Sequence, residues 1–227
     1  AGKRFAMGRN DARPSPMKKG GKFGNYGISA RDAAMLGNLR AVKRVTKESG
    51  FVDKAAATFV CDTTGQIELM NTIPQGASAS QRIGRKVMLK SIQLKGRWVA
   101  GTGTVSADCA AILVYDNNPT ASLPAVTDFL VTADPLSFNN TVNQDRFRTI
   151  RRWDKFFLGN VGTAGQQTSA TGYSFDEFVD LSRFSDYMAK AVGTGAIGDI
   201  QKGAIYLITV GSQGAGVTAP NLTVAAR

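Results

Sequence analysis

Histidine is absent from all 227 residues, and with it goes the imidazole that Ser-His-Asp and Cys-His nucleophiles and the common zinc hydrolases require. Cysteine is scarce. Cys61 and Cys109 have no metal-ligand spacing, and each is expected to be a buried thiol in a strand. The glycine pair Gly101 and Gly103 lacks the spacing and the following helix of a dinucleotide fingerprint. Asp176, Glu177, Asp180 and Asp186 read as the solvent-facing half of an alternating strand, because a catalytic carboxylate pair needs one desolvated partner and the sequence shows none. Neither an enzyme nor a metal or cofactor site is expected. No stretch of about 18 apolar residues is present, and no apolar signal core stands near Ala1, so neither membrane insertion nor secretion is expected. The sequons at Asn139 and Asn221 are then incidental.

Acids are also scarce in one part of the chain. Residues 1–49 hold 12 Lys and Arg against Asp11, Asp32 and Glu48, a net +9, which leaves +2 of the total +11 for residues 50–227. A near-neutral body with a basic, glycine-rich arm reads as an anchor for a polyanion. The first 27 residues carry Gly and Pro punctuation and no periodic apolar stripe, as a solvated tail also would. Phe5, Phe23 and Tyr26 lie among the cations, where rings can stack on unpaired bases or pack into a subunit seam. Residues 29–47 read as a short helix capped by Ser29, with Met35, Leu39 and Val42 on one face and cations on the other. Such a helix suits a nucleic acid, a membrane surface or a cap on the body. The candidate nucleic-acid contacts of this arm are Lys3, Arg4, Arg9, Arg13, Lys18, Lys19, Lys22, Arg31, Arg40, Lys43, Arg44 and Lys47.

The remaining length is enough for one domain with a sizeable core. Its period-2 stretches predict an all-β body. TFVCD (58–62) and QIELMN (66–71) read as two short strands or one bent strand, and 86–99 as one long strand with Met88, Lys90, Ile92, Leu94 and Trp98 on its buried side. Lys95 and Arg97 fall on the opposite side, facing solvent or a charged partner. ADCAAILVYD (107–116) is a nearly continuous apolar run of strand length, ended by Asn117-Asn118-Pro119. Residues 117–145 form a long connection with a short helix near 125–131, of the kind that usually serves function or partner contact. Further strands are expected at 146–159, 175–182, 185–192 and 202–212. An amphipathic helix over 175–192 is the alternative there, and NLTVAAR is expected as an edge strand. Six basic residues, Arg82, Arg85, Lys86, Lys90, Lys95 and Arg97, occur between 82 and 97 with no acid among them. The first three join the candidate nucleic-acid contacts.

The IPQG turn at 73–76, a short Ser/Ala linker, the RIGRK run at 82–86 and the KSIQLKG strand resemble the capsid proteins of small single-stranded DNA viruses with circular, Rep-encoding genomes, and of satellite and geminivirus-like viruses. Arg152-Trp153-Asp154, ahead of a return strand, is similar too. The resemblance spans about residues 66–212. It implies a single jelly-roll β-sandwich of about eight antiparallel strands, with a basic arm at 1–49 and a shell domain at 50–227. It also implies a homo-oligomeric icosahedral shell of about sixty copies, packaging of a single-stranded DNA genome, and residence in the virion and, during assembly, the host nucleus. In such a shell Leu123, Phe129, Leu136 and Phe138 are expected to anchor loops within a subunit or across its seams, the internal role falling to Phe129. The arm departs from the family's denser arginine-rich run. A non-viral single-stranded nucleic-acid-binding β-domain is the alternative; it accounts for the arm and the basic strands but not for the long uncharged loops.

Overall fold

The computed structural model describes residues 49–101, 106–158, 172–214 and 219–227. Eleven strands occupy these residues: β1 (Lys54–Val60), β2 (Gln66–Leu69), β3 (Lys86–Met88), β4 (Ser91–Val99), β5 (Ala107–Asp116), β6 (Phe147–Phe157), β7 (Gly172–Asp180), β8 (Asp186–Ala189), β9 (Ile200–Lys202), β10 (Ala204–Gly211) and β11 (Asn221–Ala226). Among the described residues the α-helical part is one turn, α1 (Val126–Phe129), where the Ala125 amide donates to Asp128 Oδ2 at 2.8 Å. The fold is all-β.

Two four-stranded antiparallel sheets, ordered β1-β11-β4-β7 and β2-β10-β5-β6, make the sandwich, and a small sheet, β3-β8-β9, accompanies them. Taken in chain order, the eight strands of the large sheets switch from one sheet to the other at every step except the β5–β6 hairpin, and the first strand lies beside the last. That interleaving of two Greek keys is the jelly roll. The alternative of a helix over 175–192 gives way to β7, a 3-10 turn at 182–184 and β8.

The apolar run of β5 has a physical reason. Its residues feed two cores in turn: Cys109, Ala111, Leu113 and Tyr115 pack between the large sheets with Leu94, Trp98 and Leu222, while Ala110, Ile112 and Val114 pack on the other side with Phe129, Leu130 and Tyr187. β10 behaves likewise, with Ile205 and Leu207 on one side and Tyr206 and Ile208 on the other. A strand buried on both faces loses the alternation of a half-buried one. The β2-β10-β5-β6 sheet is therefore covered twice, once by its sister sheet and once by α1 and the small sheet. Among the described residues nothing packs on the outer face of β1-β11-β4-β7.

Two expectations are corrected. Residues 86–99 are two strands: β3 pairs with β8 in the small sheet, and β4 pairs with β7 and β11 in the large one. The buried side changes at the break, since Val87 and Leu89 turn inward and Met88 is 62% exposed, whereas Ile92, Leu94 and Trp98 are buried. β11 is no edge strand either. It lies between β1 and β4, paired along its whole length with β4. Cys61 and Cys109 are both buried free thiols, Cys109 within β5 and Cys61 just beyond β1.

Candidate nucleic-acid interface

The arm cations from Lys3 to Lys47 lie outside the described residues, as does the helix expected at 29–47. Among the described candidates, Arg82 is not a surface cation. It is 3% exposed, and its guanidinium donates to Gly84 O and Lys190 O, each at 2.9 Å. Its backbone amide donates to Pro74 O at 2.9 Å, and its carbonyl accepts from Gly76 N at 3.1 Å. The IPQG turn and the RIGRK run are thus two halves of one clasp. The loop after β8 completes it: Gln75 N donates to Gly193 O at 3.1 Å, and Gly195, at φ +83°, sits so close to Ile73 that a Cβ would lie 2.7 Å from its backbone. A buried arginine must spend its donors on carbonyls in this way. Arg85 is exposed but tethered to Gln201 Oε1 at 3.1 Å. Lys86 is exposed and free of side-chain partners among the described residues.

The cations of 146–155 are mostly engaged within the subunit. Arg146 forms a bidentate pair with the fully buried Asp116, Arg151 reaches Glu177 at 3.4 Å, and Arg152 pairs with Asp154 at 2.8 Å. Arg152 also donates to the carbonyls of Pro135 and Ser137. Trp153, between that pair, stacks on Phe175 at 5.9 Å. Lys155 Nζ lies 5.1 Å from the centre of the Tyr173 ring, a cation over an aromatic face.

The open sheet face collects what these strands do not. Lys95 and Arg97 project from it, as their place in the alternation predicts. Lys95 pairs with Asp176 at 3.1 Å, and Gln93 donates to the same carboxylate at 2.8 Å. The Gln93 hydrogen bond, then Lys95, hold Asp176 below the usual carboxylate range. Arg97 has no such partner among the described residues. In register it lies between Thr223 and Ser174, and Thr223 shares a 2.9 Å hydroxyl contact with Thr58. A lone guanidinium among hydroxyls on an open face can take a phosphate and its neighbouring sugar without reading a base edge. Arg97 is therefore the strongest phosphate candidate on this face, and its uninterrupted place in the alternation of β4 was the signal for it.

The loop between β5 and β6 presents the other notable surface. Phe129 is buried and meets Phe147 edge-on at 6.2 Å, whereas Val131, Leu136, Phe138 and Val142 are exposed, Phe138 to 85%. The loop is held from within: Val131 N donates to Phe138 O at 3.0 Å, Leu136 N to Asp134 Oδ1 at 2.7 Å, and Asn139 Nδ2 to Thr149 Oγ1 at 3.1 Å. Apolar side chains displayed on a pre-ordered loop mark an interaction surface. Leu123, on the same connection, is 44% exposed.

Among the described residues no group of three or more Cys, Asp or Glu side chains is arranged to hold a metal ion, and no helix is long and apolar enough to cross a membrane. The profile of the Geminivirus coat protein/nuclear export factor BR1 family matches residues 11–224. A capsid protein of Miscanthus streak virus (isolate 91) is 31% identical over 163 residues, an alignment that takes in 64% of this chain and 63% of that protein. The match thus spans less than two thirds of the relative's length.

Proposed function

Because the chain belongs to the geminivirus coat protein/nuclear export factor BR1 family, we propose that it is a capsid subunit that self-assembles into an icosahedral shell around single-stranded DNA. The observation that carries this reading is the four-plus-four strand order of the sandwich, together with the exposed apolar loop between β5 and β6. A rigid jelly roll supplies the wall, and the loops at its ends supply contacts between copies. Closure with about sixty copies is the simplest arrangement. Residues 1–49 act as a basic arm and residues 50–227 as the shell domain. The arm neutralises phosphates inside the shell, and Arg97 and Lys95 on the open sheet face add to it. The protein's role is structural and not catalytic, and it resides in the virion after assembly in the host nucleus. Electron microscopy of the purified chain tests the reading. Uniform closed particles carrying nucleic acid are expected; a chain that stays monomeric or dimeric across salt and pH, while still binding single strands, would instead be the non-viral binding domain.

A further inference from the structure

One cleft takes no part in the surfaces described above. It has a volume of about 440 Å³, within the range of small-ligand sites, and it opens between the end of β5, the start of β6 and the turn into β8. Its walls are fixed. The Tyr115 hydroxyl donates to Asp186 O at 2.8 Å, and the Tyr115 ring lies against Phe184 at 5.4 Å. The acid of the cleft, Asp186, is already matched by Lys202 at 2.9 Å. Arg148 and Arg183 also line it, both exposed, and neither guanidinium has a hydrogen bond or ion pair among the described residues. Arg146, Arg151 and Arg152, by contrast, each meet a carboxylate.

Two unpaired guanidinium groups sharing a small cleft repel one another when nothing lies between them. An anion that accepts from both relieves that repulsion. A carboxylate offers two oxygens and one charge, enough for one planar fork; a phosphate offers more oxygens and up to two charges, enough for both. We propose that this cleft is a phosphate site, in which Arg148 and Arg183 bind the oxygens of one phosphate group beside the Lys202–Asp186 pair. The group is either a phosphodiester of the packaged strand, which rests on the function proposed above, or a free phosphate, which does not.

Calorimetric titration of the full chain with inorganic phosphate, against chloride at matched ionic strength, tests the site. A saturable heat is expected with phosphate only. Arg148→Gln and Arg183→Gln should each weaken it about tenfold, while Lys190→Gln, which removes a cation outside the cleft, should leave it unchanged. Repeating the titration with a saturating oligothymidylate separates the sources: loss of the phosphate heat assigns the cleft to the strand, and retention assigns it to free phosphate. No saturable heat, or equal heat in the double variant, overturns the proposal. Poor assembly of the double variant, with no saturable phosphate heat in the native chain, also overturns it and makes the arginines a contact between copies. Particle formation is scored separately, so absence of particles with an intact phosphate heat would sink the capsid reading and leave the site standing.

Discussion

At the scale of single residues, the polar groups buried at the end of β5 show how a mostly apolar sandwich tolerates charge. Asp116 is fully buried, accepts both forks of Arg146, and accepts from the Tyr206 hydroxyl at 3.3 Å and from Asn118 N at 3.0 Å. Every oxygen is satisfied, so the ion is tolerated; removing one partner strands the other. Asp116→Ala should therefore destabilise the fold by about 3–5 kcal/mol, read as a lower urea midpoint with an unchanged slope. A midpoint shift as small as that of an exposed ion pair would refute the argument. Next to it, burial and then the charges of Asp186 and Asp116 push the Tyr115 phenol up to about 12. A phenol raised in the folded state above its ordinary value of about 10 favours folding below that pH and loses the contribution as pH climbs towards its folded value. The thermal midpoint of the native chain should thus fall more steeply between about pH 10 and 12 than that of Tyr115→Phe. Parallel curves would show that the phenol contributes no linkage.

At the scale of elements, much of the sandwich was legible because burial imposes period 2 on half-covered strands and a continuous apolar run on doubly covered ones. β5, β6, β7 and β10 announce themselves in this way. Strand order was not legible: Leu222, Val224 and Ala226 alternate identically whether β11 is an edge or lies between β1 and β4, since order is decided by partners far away in sequence. The break at Leu89-Lys90 was hidden for a related reason. Alternation continues through it in letters, while the chain passes from the small sheet to the large one and the buried side changes. The RIGRK run misled in chemistry, because one buried and two exposed cations look alike as letters, and only the carbonyls of Gly84 and Lys190 give Arg82 its role. Arg82→Ala should lower stability by about 1–3 kcal/mol, measured by denaturant unfolding, and leave the salt dependence of single-strand binding as it was. A changed salt slope at constant stability would return Arg82 to the nucleic-acid interface.

At the scale of the whole molecule, the body is nearly neutral and displays its apolar loop outward, while the charge is concentrated in residues 1–49. Assembly and packaging should therefore be separable. Leu136→Ser with Phe138→Ser removes two exposed side chains that no core depends on, so folding should be preserved and particle formation lost; loss of both together would place the loop in the core. The arm carries the converse test. Its cations stand singly or in pairs between glycines and prolines, a layout that follows a flexible strand but presents no rigid donor set to base edges. Its affinity should come from released counterions, so that the logarithm of the binding constant falls with the logarithm of salt at about −0.7 per phosphate neutralised on single strands. Changing Lys18, Lys19 and Lys22 together to Gln should reduce that slope by about 2 and yield emptier particles, with the strand content of the body unchanged by circular dichroism. If slope and cargo both stay as they were, genome binding belongs to the cations of the body. Arg97 on the outer sheet face, with no side-chain partner among the described residues, becomes the first residue to replace.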